Sequence, residues 1–200
     1  MARSRDPFPS PAPMRQASPA PLGRRVASWW WDYLLIIAWL AAVFLLIGLP
    51  QLLGWIDLSP IWTDQTGTDV AITILTVLPY FLYLTLTERR SPHATWGKRR
   101  AGIAVIGKTG DPPGGGAVLS RNLVKVLPWQ LGHMGTMRLV NSTSETAGIW
   151  LNTASLALLA LIVIPILFRR PGIHDLLAGT RVTSAEGSPA EAETAGATPA

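Results

Sequence analysis

"WWWDYLLIIAWLAAVFLLIGL", residues 29–49, is apolar at nearly every position, yet Asp32 stands near its start. About 20 such residues at ~1.5 Å of rise each cross a hydrocarbon core of about 30 Å. The run contains an acid, exceeds the length of a signal-peptide core and ends in "GLPQLLGW" without a small-x-small site. It therefore reads as a membrane span, not a cleaved leader. Two further stretches share its character: residues 70–87, "VAITILTVLPYFLYLTLT", and residues 148–168, "GIWLNTASLALLALIVIPILF". A weaker fourth, residues 121–140, "RNLVKVLPWQLGHMGTMRLV", carries Lys125, His133 and Arg138.

Composition agrees with a membrane protein. Hydrophobic residues are 48% of the 200 and charged residues 14%, where a soluble domain has about a quarter charged. There is no cysteine, so disulfides, Cys-ligated zinc and Cys nucleophiles are excluded. The net charge of +5 comes from Lys and Arg that flank the apolar runs. That placement fits topology signalling and anionic lipid headgroups, not nucleic acid. Residues 1–22, rich in Pro, Ser and Arg, and the small, acidic residues 184–200 read as disordered tails.

Arg24 and Arg25 precede the first span, and Arg89, Arg90, Lys98, Arg99, Arg100 and Lys108 follow the second. Between them residues 50–69 hold no Lys or Arg but three Asp. The N-terminus and residues 88–120 are expected on the cytoplasmic side. Arg169, Arg170 and Arg181 want the same side, which requires an even number of crossings, so residues 121–140 should also cross. Three crossings plus an interfacial helix is the alternative. Lys125 and Arg138 would snorkel from the ends of that segment, while Gln130 and His133 need internal partners. Within residues 97–118, "AGIAVIG" followed by "KTGDPPGGG" reads as a short β-hairpin, to which "GTRVTS" could add a strand. The expected fold is an all-α membrane bundle of about four helices with a small cytoplasmic hairpin.

A buried carboxylate needs a partner or a proton. Arg25 lies on the same helix face two turns earlier, about 10.5 Å away, too far for a salt bridge. Asp32 must therefore bond a group from another element, either to fix helix packing or to serve transport. Thr73, Thr76, Tyr80, Tyr83 and Thr87 follow at spacings of three and four, one face of a helix. Such a stripe either packs helices or lines a hydrated path. Asn152 and Ser155 can share an interior face of the last span. At the inner interface Asp175 can pair with Arg25. His93, His133 and His174 lack metal-ligand spacing, "GGG" at 114–116 lacks a P-loop context, and no nucleophile stands beside a base. No catalytic residue, metal or cofactor is expected.

Three short motifs, in this order, resemble the RDD family of bacterial integral membrane proteins. They are "RVASWWWD" (Arg25 to Asp32), "TWGKRRAGIAV" (Thr95, Gly97, Lys98) and "HDLLAGT" (His174, Asp175, Gly179, Thr180). The likeness covers about residues 23–183; the Trp triplet and the polar third segment depart from the usual pattern. The resemblance implies a multi-pass bacterial inner-membrane protein with Arg25, Asp32 and Asp175 as its signature. It implies little about activity, since the family is mostly of unknown function; cation/proton antiport has been proposed for a member. The expected roles are a small, homo-oligomeric transporter or a non-transporting membrane adaptor that binds lipid or a partner through its basic loop.

Overall fold

The computed structural model describes residues 18–185; most of both expected tails lies outside that range. Helix α1 spans Leu22–Leu52. Short α2 is Ser59–Thr63, and α3 is Gln65–Arg89. After it come α4, Trp96–Arg100, and β1, Ile103–Gly107. Two long helices follow, α5 over Gly115–Val140 and α6 over Glu145–Leu167. The described chain ends in α7, Ile173–Ala178, and β2, Thr180–Ser184.

Helices α1, α3 and α6 are long and apolar enough to cross a membrane. They contain the three strong runs of the sequence. The weak segment is one continuous helix, α5, of 26 residues, about 39 Å long at 1.5 Å per residue. Its Lys125, Gln130 and Arg138 find partners on α3, and its small residues pack closely on α6. A methyl group at Gly135 would lie 2.9 Å from the Gly148 carbonyl oxygen and from the Asn152 backbone nitrogen, so the two helix backbones approach closely there. Across the two helices the Ser155 hydroxyl donates to the Pro128 carbonyl at 2.7 Å, while Asn152 bonds the Gly148 carbonyl of its own helix at 3.0 Å.

Two prolines shape the first two spans. A π-turn at Phe44–Gly48 precedes Pro50, and another at Thr73–Val77 precedes Pro79. A proline ring crowds the preceding turn and lacks the N–H that would close it. The Leu75 carbonyl, which an α-helix would bond to residue 79, instead accepts the Trp39 indole N–H at 2.7 Å. The gap in the α3 ladder thus becomes a link to α1.

The expected hairpin is not formed. β1 pairs antiparallel with β2, Val105 opposite Val182 and Gly107 opposite Thr180. The turn after β1 closes locally, with the Gly107 N–H donating to the Asp111 carbonyl at 2.9 Å. The chain then enters α5 at Gly115, leaving no residues for a local return strand. Pro19 bridges Thr183 on the far side of β2, and Ala20 N–H donates to the Val182 carbonyl. This small sheet, with Ile103, Val182 and Ala20 as its core, closes the Arg-rich end of the bundle.

Candidate functional site: a buried charge layer

Asp32 is 5% exposed and accepts three hydrogen bonds. The Tyr83 hydroxyl donates to Oδ1 at 2.7 Å, the Gly97 N–H to Oδ1 at 2.8 Å, and the Thr95 hydroxyl to Oδ2 at 2.7 Å. The TWGK motif explains the arrangement. A helix start leaves its first N–H groups unpaired. In α4 Trp96 N–H donates to the Tyr83 oxygen at 2.9 Å, Gly97 N–H to Asp32, and Lys98 N–H to the Thr95 hydroxyl oxygen at 3.2 Å. A carboxylate also suits that end of the peptide dipoles. Gly97 is required by contact, since a methyl group there would sit 2.7 Å from the Asp32 carboxyl carbon. Trp31 stacks edge-on against Trp96 with ring centres 5.5 Å apart, and the Arg100 guanidinium lies over both rings.

A second node centres on Glu88, which is fully buried. Lys98 Nζ lies 2.6 Å and Lys125 Nζ 3.2 Å from its Oε1, and Arg121 Nε lies 3.2 Å from Oε2. Lys125 also donates to Asn122 at 3.1 Å. Lys125 is thus drawn inward instead of snorkelling. Arg121 continues to Asp175 and to the Thr180 hydroxyl, which itself donates to Asp175 at 2.8 Å. Gly179 makes this reach possible: it ends α7 in the left-handed region at φ 65°, where glycine carries no Cβ penalty. His174 Nε2 lies 3.4 Å from Asp175 Oδ2. Burial, then the nearby Arg121 charge, holds the His174 pKa well below its ordinary value.

The expected pairing of Arg25 with Asp175 gives way to Arg121 with Asp175. Arg25 donates to two backbone carbonyls, Ala20 at 3.2 Å and Val182 at 3.1 Å, and so ties α1 to β2. Sequence placed both residues at one interface but not on facing elements. Glu88 and Arg121 were missed as site residues. Their signals were an acid at the junction of an apolar span with "RR", and the i, i+4 spacing of Arg121 and Lys125, which demands an acid on the facing helix.

The hydroxyl stripe divides. Tyr83 joins the Asp32 node. Thr73 meets Gln130, which donates to it at 2.9 Å. Thr76 and Thr87 return to the carbonyls of Ile72 and Tyr83 within their own helix. Tyr80 lies against Trp129, ring centres 6.2 Å apart. At the far end Arg138 forms a pair with Asp69 at 2.9 Å. The His133 Nδ1 is buried without a hydrogen-bond partner among the described residues.

Two cavities adjoin the charge layer. A chamber of about 160 Å³ is bordered by Arg25, Asp32, Lys98, Arg121, Lys125 and Asp175. An apolar cavity of about 240 Å³ lies between α1 and α3, bordered by Leu35, Ile36, Trp39, Thr76, Val77 and His133. Tyr80 and Trp129 line both.

Apolar spanning helices around a layer of buried, cross-linked charges define a helical membrane protein. The chain belongs to the RDD family, whose model matches residues 19–179. Comparison with curated proteins and with solved structures gave no match.

Proposed function

We propose that the protein is a four-span inner-membrane transporter that exchanges a cation for a proton at Asp32. Its N-terminus and α4 would face the cytoplasm. Four crossings are supported by the length of α5 and its close packing on α6, and by the gathering of Arg24, Arg25, Arg89, Arg90, Arg169 and Arg170 at one end that an even count allows.

The observation that carries the reading is the chamber beside Asp32. The Asp32 carboxylate borders it, a ligand type suited to a hard cation, and the Tyr83 and Thr95 hydroxyls bond that carboxylate from outside the chamber wall. The Arg138–Asp69 and Thr73–Gln130 contacts lie further out and close the opposite end of the bundle. Arg121 and Lys125 are each bonded to Glu88 or Asp175, which offsets most of their own charge beside Asp32. Four helices give little room for two repeats, so a homo-oligomer would complete the path; the exposed apolar flank of α1 suits such contact.

One observation favours the adaptor reading: Asp32 caps α4, a purely structural duty. The basic-loop form of that reading is weakened because Lys98 is spent on Glu88 and Arg100 on Trp31 and Trp96. Reconstituted protein with an internal pH-sensitive dye separates the two. Cation-driven proton movement that Asp32→Asn abolishes, in a variant that still elutes as a single species, supports transport. Absence of such movement from the wild type supports the adaptor.

A further inference from the structure

We propose that one anionic phospholipid occupies this protein, its phosphate at Arg25 and one acyl chain in the apolar cavity between α1 and α3. The inference stands apart from transport, because it concerns retention of a lipid, not movement of an ion.

Order along α1 sets the direction. Arg25 and Asp32 border the charged chamber, and Ile36, Trp39 and Leu40 border the apolar cavity. From Asp32 to Leu40 is about 12 Å along the helix axis. Tyr80 and Trp129 belong to both walls, so the two spaces adjoin. A polar end near the Arg-rich face and an apolar end toward the bilayer centre is the layout of a phospholipid in the leaflet on that side. Leu35, Trp39 and Leu78 flank α1 and α3 with exposed side chains, which leaves a route from the bilayer.

Charge fixes the class of headgroup. The chamber and its neighbour Glu88 bring together Arg25, Lys98, Arg121 and Lys125 against Asp32, Glu88 and Asp175. Four cations face three carboxylates. The three acids have partners, whereas Arg25 has only backbone carbonyls among the described residues. A phosphate beside Arg25 would balance the excess.

Native mass spectrometry of delipidated protein tests this. The wild type should retain one phosphatidylglycerol at least tenfold more strongly than phosphatidylcholine of the same chains, and inorganic phosphate should not compete. Ile36→Trp, which fills the cavity, should abolish retention, and Arg25→Gln should remove the preference for the anionic lipid. Equal retention of the two lipids by the wild type would overturn the proposal, as would competition by inorganic phosphate. The lipid comparison on the wild type decides the matter even where a variant fails to fold. An unchanged adduct in a folded Ile36→Trp variant would place the lipid elsewhere and equally refute it.

Discussion

The Tyr83 hydroxyl stands between α1 and the start of α4, donating to Asp32 at 2.7 Å and accepting from Trp96 N–H at 2.9 Å. One oxygen atom from α3 therefore joins the first span to the motif that follows the second. Tyr83→Phe removes both bonds and leaves two buried groups short of partners. The expected cost is about 1.5–3 kcal/mol, the range for hydrogen bonds to charged groups, read as a lower melting temperature in detergent. An unchanged melt would mean that Asp32 is held by Thr95 and Gly97 alone.

Gly97→Ala forces a methyl group against the Asp32 carboxyl carbon, 2.7 Å away, and into the α1 backbone at Ser28. Either α4 shifts or α1 does. Overpacking of this kind costs about 1–3 kcal/mol. Gly116→Ala, in the first turn of α5 with nothing within 4 Å of the added carbon, should cost nothing and can gain up to about 1 kcal/mol. Thermal melts of the two variants side by side check the contrast.

Glu88→Gln leaves Lys98, Lys125 and Arg121 facing one another without their shared anion. Breaking a buried ion pair from one side costs about 3–5 kcal/mol. Adding Lys98→Met to that variant should recover part of the loss, because one uncompensated charge leaves with it. A double-mutant cycle measures the coupling; strict additivity would contradict the shared node.

His174 gives acid sensitivity of definite sign. Its folded pKa is lowered by burial and by Arg121, whereas in the unfolded chain it titrates near about 6.5. Above that value both states are neutral and it contributes nothing to pH dependence. Below it the unfolded chain gains a proton that the fold refuses, so stability falls as pH drops, by up to about 1.4 kcal/mol per pH unit. The melting temperature should decline from pH 7 toward pH 5.5, and His174→Gln should flatten part of that decline.

The spans at residues 29–49, 70–87 and 148–168 were legible because continuous apolarity is a local property. So was the need of Asp32 for a hydroxyl or basic partner from another element, and Tyr83 stood in the hydroxyl stripe already marked. The sheet was legible in part: "AGIAVIG" and "GTRVTS" were both marked as strands and do pair, whereas the local return strand expected after "AGIAVIG" does not form, because the chain turns directly into α5. The Arg25–Asp175 expectation failed for another reason. Hydropathy gives depth in the bilayer but not position around the bundle, and Arg121 faces Asp175 where Arg25 does not. Glu88 was hidden in "TERR", where a lone acid among bases looks like a solvated helix end.

Uptake of labelled sodium or potassium into proteoliposomes under an imposed proton gradient tests the role of Asp32 most directly. The account predicts gradient-driven accumulation by the wild type, collapse when a protonophore is added, and no accumulation by folded Asp32→Asn. Accumulation by Asp32→Asn equal to the wild type, or none by the wild type with either cation, would contradict it.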